Sequence, residues 1–205
     1  MRIEQRPGYN AVGELFNVNM DNVQRMVDRL LQFIKKEHLY PALSFADIGL
    51  ENPKMNFIKD WIGIKADQVV VDDFNFDPLP KKKKYDVIFC FEIIEHLQNP
   101  LFFMRELKSI LKDSGVIYIT TPSNPKWLKY EYHFYEMPKK ILERWIFTPL
   151  DLRIARHWKF NFMNDWRAMF FGVRPIIRSI RNGFDFRPIF WAFIQTNNFY
   201  EIVKQ

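Results

Sequence analysis

The sequence predicts an α/β domain with a mostly parallel β-sheet and helices on its faces. Short apolar segments typical of buried strands alternate with segments whose apolar residues recur every three to four positions, the period of an amphipathic helix. Strands that are separated by helices favour parallel pairing through right-handed crossovers. The 205 residues, 48% apolar and 17% aromatic, supply enough bulk for one such core and leave a surplus for a second surface.

The first half of the chain contains two helix patterns and two strand patterns. Apolar residues at helical spacing predict a helix from Asp21 to Lys36. Residues 43–50 are predicted to form a buried strand, and residues 55–62 a helix that ends at Gly63. The run 68–73 predicts a second buried strand with two carboxylates at its end.

The second half of the predicted sheet has the clearest patterns. Residues 85–91 read as a third strand, residues 100–112 as a strongly periodic helix and residues 116–122 as a fourth strand. Gly115 follows the helix pattern closely, and we expect it to end that helix.

Charge and cysteine content restrict the setting and the partners. Thirty basic and 24 acidic residues give a net charge of +6, which allows an anionic partner. Cys90 is the one cysteine, so no internal disulfide can form, and the N-terminus lacks the apolar run of a secretory signal. No apolar stretch approaches the roughly 20 residues that span a bilayer. We therefore expect a cytoplasmic protein, with membrane association as an alternative.

Polar residues lie where each predicted strand ends. In open α/β sheets, ligands bind outside the carboxyl ends of the parallel strands, so these positions predict the functional site. The four clusters are Asp47 with Gly49, Asp72 with Asp73, Glu92 to His96, and Pro122 to Asn124.

Residues 85–122 carry a resemblance to a known family. The strand 85–91 leads into the turn Glu92-Ile93-Ile94-Glu95-His96 and then Asn99-Pro100, a helix, Gly115 and the strand end Thr120-Thr121-Pro122. This order closely resembles the region from the post-I motif to motif III of class I S-adenosylmethionine-dependent methyltransferases, particularly the type 11 group. The resemblance covers residues 44–145 and implies a compact, Rossmann-like sheet and S-adenosylmethionine as cofactor.

Two features depart from the family pattern. Leu50-Glu51-Asn52-Pro53 stands where the family has further glycines after Asp47-Ile48-Gly49, and Pro53 fits the first turn of the following helix. Only 11 residues lie between Asp73 and Tyr85, where the family fits another helix and strand. Either that unit is deleted, or residues 68–77 combine the roles of two strands.

The resemblance assigns cofactor contacts to particular residues. It implies that Asp72 binds the ribose hydroxyls, with nearby Asp73 as the alternative, because a carboxylate accepts two hydroxyl hydrogen bonds. Phe74 or Phe76 would pack on the adenine ring. The remaining cofactor contacts are expected from Asp47, Gly49, Phe91 and Glu92.

The E-x-x-E-H turn suggests either a metal site or a structural turn. Glu92, Glu95 and His96 would share one face of a helical turn. With His133 they resemble the magnesium ligands of small-RNA 2′-O-methyltransferases, and the turn alone resembles that of ubiquinone-pathway O-methyltransferases. In the alternative, these residues order the turn without a metal. His96 and His133 are also the candidate catalytic bases, because an imidazole titrates near neutral pH.

The C-terminal part contains a basic and aromatic segment. The resemblance implies an antiparallel strand pair at 152–156 and 199–203, and arginines interleave with apolar residues over 166–193 between them. That segment could contact an anionic membrane peripherally, cover a lipid-linked substrate, form a dimer interface, or form one wall of the substrate pocket. Nucleic acid is the least favoured partner, because no compact recognition motif is present.

We therefore predict one domain with three parts: an N-terminal helical segment (1–40), a methyltransferase core that binds S-adenosylmethionine (41–150), and a C-terminal strand pair with the basic aromatic insertion (151–205). The predicted function is O-methylation of a small-molecule, glycan or lipid-linked acceptor. Two alternatives are a degenerate methyltransferase fold that acts as a scaffold, and a metal-dependent RNA 2′-O-methyltransferase.

Overall fold

Six strands form one mixed sheet in the computed structural model, which describes residues 20–51, 53–123, 133, 134, 136–161 and 196–205. The strands are β1 (Phe45–Ile48), β2 (Ala66–Val69), β3 (Tyr85–Phe91), β4 (Leu111–Pro122), β5 (Leu152–Asn161) and β6 (Thr196–Lys204). Their order is β2-β1-β3-β4-β6-β5, with parallel pairing from β2 to β4 and antiparallel pairing on both sides of β6. The predicted mostly parallel sheet is confirmed, as is the C-terminal strand pair.

Helices cover both faces of the sheet because successive strand residues point to opposite sides. The helices are α1 (Met20–Phe33), α2 (Pro53–Ile62), α3 (Pro100–Ile110) and the short α4 (Lys139–Leu142). Val87 and Phe89 of β3 are buried in the cluster that includes the apolar faces of α1 and α2. Ile88 and Cys90 are buried in the other cluster, with α3 and α4. Among the residues that the structure describes, no helix combines the length and the apolar content needed to span a membrane.

The turn after α2 follows the prediction. Gly63 has a φ of +69°, a left-handed conformation that glycine adopts without steric cost. The amides of Gly63 and Ile64 donate to the carbonyl of Lys59 at 2.9 and 3.1 Å, which closes the helix. Pro53 is the first residue of the helix, where a missing N–H costs little.

Gly115 does not end α3, contrary to the prediction. The helix ends at Ile110, and β4 begins at the next residue and contains Gly115. Tyr85 pairs with Leu111 and Val87 with Val116, so the β4 segment between them bulges out of register. A Cβ atom at Gly115 would lie 2.7 Å from Leu111 Cδ1 and 3.0 Å from the Tyr85 carbonyl oxygen. Close approach of the backbone, rather than helix capping, explains the glycine.

The link between β2 and β3 distinguishes the two predicted alternatives, a deleted helix and strand or a segment 68–77 that combines the roles of two strands. β2 runs from Ala66 to Val69, earlier than the predicted 68–73, and pairs only with β1. Residues 70–84 are all described and contain neither helix nor strand. The extra helix and strand of the family are therefore absent from this link, and Asp72 and Asp73 lie beyond the end of β2.

Candidate active site

The polar clusters predicted from the sequence lie at one edge of the sheet, except for Asn124, which is outside the described residues. The carboxyl ends of β2, β1, β3 and β4 share this edge because the four strands are parallel neighbours. Hydrogen bonds tie the ends together: the Gly49 amide donates to the Val69 carbonyl, and the Glu92 amide to the Thr120 carbonyl, each at 3.0 Å. The end of β1 is therefore joined to that of β2, and the end of β3 to that of β4.

Asp47 lies inside the protein at the end of β1. Its carboxylate is 2.9 Å from the Lys59 ammonium of α2, and the side chain is almost completely buried. Burial raises the pKa of Asp47, and the contact with Lys59 only partly opposes this effect. Asp47 thus holds α2 against β1, and its predicted contact with a cofactor stays a prediction.

Gly49 forms the turn that leaves β1. Its φ is +99°, a conformation that side chains other than that of glycine rarely adopt. The Gln68 side chain donates to the Gly49 carbonyl and so fixes the turn from β2. Leu50 follows and is half-buried. The turn keeps the one glycine at which a ligand can approach the backbone closely, although the family's further glycines are absent.

Asp72 and Asp73 have different surroundings. Asp73 is buried, and its Oδ1 accepts hydrogen bonds from the backbone amide of Asn75 at 2.9 Å and from its side-chain amide at 2.8 Å. Asp72 is exposed at the edge of the site. Because Asp73 already accepts hydrogen bonds from Asn75 within the loop, Asp72 is the better placed of the two to accept hydrogen bonds from a ligand.

The two phenylalanines proposed for adenine packing also differ. Phe74 is buried, with its ring 5.3 Å from the Phe103 ring of α3. Phe76 is 65% exposed. Phe74 therefore belongs to the core, and Phe76 is the ring that a ligand could reach.

Asn75 is a site residue that the sequence reasoning missed. Its buried Oδ1 accepts from the backbone amides of Gln98 at 2.7 Å and Asn99 at 2.9 Å. Asn99 in turn caps α3, where its side chain accepts from the Phe102 amide at 3.2 Å. Asn75 thus joins the loop after β2 to the end of the E-x-x-E-H turn. The Asp73-x-Asn75 spacing, which is typical of turns closed by side chains, is the signal that could have pointed to it.

Glu92 begins the E-x-x-E-H turn in a conformation that is uncommon outside glycine, with a φ of +57°. Its Oε1 accepts a hydrogen bond of 2.7 Å from the Thr120 hydroxyl of β4. Phe91, the residue before it, is buried with its ring 5.6 Å from that of Phe89. The side chain of Glu92 is thereby held across the ends of β3 and β4.

Glu95, His96 and His133 come together at the same edge, as the sequence predicted for three of its four metal-ligand candidates. Ligand atoms of the three residues lie within 4.8 Å of one another, and the two imidazole rings are 4.9 Å apart. The amide of Phe134 donates to the Glu95 carbonyl at 2.8 Å, which fixes the His133 segment beside the turn. Glu92, the fourth candidate, does not belong to this group among the described residues.

Glu136 is a second residue that the sequence reasoning missed. One of its carboxylate oxygens lies 2.7 Å from His133 Nδ1, and its side chain is fully buried. The spacing of three residues between His133 and Glu136 is a weak signal that only the fold makes meaningful.

The methyltransferase domain family model matches residues 18–170 of the chain. The ubiquinone biosynthesis O-methyltransferase of Pelagibacter ubique is 26% identical over 142 residues, which cover 59% of this chain and 59% of that protein. The enzyme of the same name from Haemophilus ducreyi is 32% identical over 73 residues, or 35% of this chain and 31% of that protein. The chain therefore spans less than two thirds of the length of these relatives.

Solved structures share the fold at low sequence identity. A candidate sarcosine dimethylglycine methyltransferase from Galdieria sulphuraria has a TM-score of 0.61 and 13% identity, covering 98% of this chain and 89% of that one. The Haemonchus contortus phosphoethanolamine N-methyltransferase 2, in complex with S-adenosyl-L-methionine, has a TM-score of 0.57 and 13% identity, covering 88% and 52%. Since the family model matches most of the residues and the sheet is shared with these structures, the chain belongs to the methyltransferase domain family and has its Rossmann-like, class I fold.

Proposed function

We propose that this protein transfers a methyl group from S-adenosylmethionine to a hydroxyl oxygen of an acceptor molecule. The observation that carries the proposal is the pair of imidazoles, His96 and His133, 4.9 Å apart at the carboxyl ends of the strands. A hydroxyl nucleophile benefits from a base, and imidazole is the side chain best suited to that role near neutral pH. The likeness to relatives named O-methyltransferases supports the same chemistry.

The residues at the edge fit the cofactor. The Gly49 turn allows close approach of its amino-acid end, and the exposed Asp72 carboxylate can accept hydrogen bonds from the ribose hydroxyls. Asp73 and Phe91 are buried and Glu92 is half-buried, and their predicted contacts with the cofactor stay part of the proposal. When bound, S-adenosylmethionine supplies a methyl group that its sulfonium already activates. The chain itself has to align the acceptor and provide the base, and alignment contributes much of the acceleration.

The acceptor that we favour is a glycan or lipid-linked small molecule. This choice depends on residues 166–193, whose arginines and aromatic side chains are suited to a lid or to a membrane surface. The segment lies outside the described residues. Contact of this segment with a membrane is a proposal, and binding to anionic lipid vesicles would test it. The same experiment would test whether the protein is cytoplasmic or membrane-associated.

Titration calorimetry with S-adenosylhomocysteine is the first test. We expect binding by the wild-type protein, and at least a tenfold loss of affinity in Asp72→Ala, because the ribose acceptor is removed. Asp60→Ala, an exposed carboxylate on α2, is the matched control and should bind like the wild type. If a folded wild-type protein does not bind S-adenosylhomocysteine, the scaffold alternative replaces the enzyme. If the wild-type protein binds and Asp72→Ala binds equally well, either the ribose contact passes to Asp73 or the alignment that assigns it to Asp72 is wrong.

A divalent cation such as Mg²⁺ is a second element of the proposal, and the three-residue group favours it. Glu95, His96 and His133 offer one carboxylate and two imidazoles within 4.8 Å, a mixed nitrogen and oxygen set that suits several divalent metals. A bound ion would replace the imidazole base of the first scheme, because its two imidazole ligands could no longer accept a proton there, and it would itself orient the acceptor hydroxyl and stabilise its deprotonated form. If neither Mg²⁺ nor Mn²⁺ changes the melting temperature or the turnover, the proposed metal site is wrong. The RNA alternative would additionally require salt-sensitive RNA binding.

A further inference from the structure

We propose that Thr120 is a positioning residue, which holds one oxygen of the Glu92 carboxylate so that the other oxygen binds the ammonium group of S-adenosylmethionine. The inference rests on the cofactor binding proposed above and identifies the part of the cofactor that Glu92 contacts. It also gives a role to the strained backbone of Glu92 and to the buried hydroxyl of Thr120.

The backbone of Glu92 has a conformation that costs free energy. Its φ of +57° lies in the left-handed region, which glycine adopts freely and glutamate does not. A hydrogen bond of 3.0 Å from the Glu92 amide to the Thr120 carbonyl ties this backbone to β4. Strained residues of this kind concentrate at functional sites, where the surrounding structure holds them in place. A glutamate at this position therefore points to a role for its side chain.

The hydroxyl of Thr120 fixes one side of the Glu92 carboxylate. It donates to Glu92 Oε1 at 2.7 Å, a short bond of the kind that an ionised acceptor forms. Thr120 is 1% exposed and lies within β4, so this donor has little freedom to move. A buried residue of the neighbouring strand thus sets the orientation of the carboxylate.

The negative charge of Glu92 has no cation beside it in the part of the chain that the structure describes. Glu92 is half-buried, and the bond from Thr120 is the one hydrogen bond of its carboxylate within these residues. Asp47 differs, because the Lys59 ammonium lies 2.9 Å away and balances its charge. An ionised carboxylate only accepts hydrogen bonds, and partial burial makes a missing partner costly. Glu92 Oε2 is therefore suited to a cation that carries N–H donors.

The position of Glu92 matches the amino-acid end of the cofactor. The last paired residues of β1 and β3 are Asp47 and Phe89. Two residues further along the chain are, in turn, Gly49 and Phe91, and Phe91 directly precedes Glu92. Glu92 therefore follows the strand end that neighbours the Gly49 turn, where we propose that the amino-acid end binds. The ammonium group of that end offers three N–H donors and a positive charge, which complement Glu92 Oε2.

Titration calorimetry with two ligands tests the contact without any need for activity. The ligands are S-adenosylhomocysteine and 5′-S-(3-carboxypropyl)-5′-thioadenosine, which is the same molecule without its amino group. We expect the wild type to bind S-adenosylhomocysteine at least tenfold more tightly than the analogue, or by about 1.4 kcal/mol. Glu92→Gln keeps an oxygen for Thr120 but loses the charge, so this ratio should fall to about twofold. Glu143→Gln, a half-buried glutamate in the helical segment after α4, is the matched control and should keep the wild-type ratio.

Variants of Thr120 separate positioning from a merely structural role. Thr120→Val keeps the shape of the side chain and removes the hydroxyl. The affinity for S-adenosylhomocysteine should then fall roughly threefold or more, while the affinity for the analogue stays within about twofold of the wild type. Thr120→Ser restores the hydroxyl and should restore the affinity. Equal losses for both ligands in Thr120→Val would mean that the hydroxyl only supports the fold of the site, which would overturn the positioning role.

The outcomes also separate this inference from the proposed function. A folded wild type that does not bind S-adenosylhomocysteine contradicts the cofactor binding, and this inference with it. A wild type that binds both ligands equally overturns the ammonium contact while the methyltransferase stands. So does Glu92→Gln if it keeps the wild-type ratio or weakens both ligands to the same extent. Asp72→Ala provides the contrast: because both ligands carry the ribose, it should weaken both equally.

Discussion

Asp86→Asn should destabilise the domain by about 2 kcal/mol at neutral pH, because Asp86 joins three strands at the amino edge of the sheet. One carboxylate oxygen accepts from the Ser44 amide at 2.8 Å, from the Ser44 hydroxyl at 2.6 Å and from the Lys112 ammonium at 2.8 Å. Ser44 precedes β1, Asp86 lies in β3 and Lys112 in β4. All three strands are therefore held in register by one ionised group.

The magnitude follows from the pKa of Asp86. Partial burial raises this pKa, but the hydrogen bonds from Lys112 and Ser44 have the larger combined effect and lower it from 3.8 to about 2. A difference of about 1.8 between the pKa values of the unfolded and folded states corresponds to about 2.4 kcal/mol of stability. Because the folded-state pKa is the lower one, this stability is fully present above the unfolded value and is lost as the pH falls toward 2. About 1.3 kcal/mol should remain at pH 3.

Urea unfolding of wild type and Asp86→Asn at pH 7, 4 and 3 is the assay. The difference in unfolding free energy should be about 2 kcal/mol at pH 7 and 4 and about half of that at pH 3. Asp113→Asn is the matched control, because Asp113 contacts Lys204 at 2.8 Å but its side chain is 95% exposed, and exposed ion pairs contribute little. A difference that is the same at all three pH values would refute the electrostatic reasoning.

Three further substitutions test the packing of the fold, each by urea unfolding. Asn75→Ala removes the acceptor for two amides of the turn and should cost about 2–3 kcal/mol. Asn56→Ala on α2 is its control and should cost less than about 0.5 kcal/mol, because the bond from its side chain to Glu51 is exposed. Gly115→Ala should cost about 1–3 kcal/mol, since its Cβ would clash with Leu111; an unchanged stability would mean that β4 shifts freely there. Gly63→Ala meets open space, so only its left-handed backbone is strained and we expect a loss of about 1 kcal/mol.

The parts of the fold that the sequence predicts well are those where local pattern and tertiary structure agree. β3 occupies Tyr85–Phe91, the bounds expected from its apolar run. It lies in the middle of the sheet, where both faces are buried and nearly every residue has to be apolar. β2 is harder to predict because it is an edge strand: only Val69 of its four residues is buried, and the apolar residues Val70 and Val71 lie beyond its end.

In the candidate site, too, some positions could be predicted from the sequence and others could not. The positions of His96 and His133 at one edge could be predicted, because a strand order and a motif place them there. Glu136 and Asn75 could not, since their roles depend on contacts between segments that only the folded chain brings together. Gly115 was misread for the same reason: a glycine after a helix usually marks its end, and the close approach of Leu111 is a property of the bulge in β4.

The shortened link between β2 and β3 explains why side chains hold one side of the site in place of strand pairing. Residues 70–84 form no strand, so their backbone groups are not paired in the sheet and need other partners. Glu106 of α3, which is buried, accepts from the Leu79 amide at 3.1 Å, and Asn75 binds the turn before α3. Both contacts fasten the link to α3, whose N-terminus follows the E-x-x-E-H turn. With one helix and one strand fewer in this link, Asn75 joins the Asp72 loop, where we propose that the cofactor binds, to the turn of His96, where we propose that the acceptor binds.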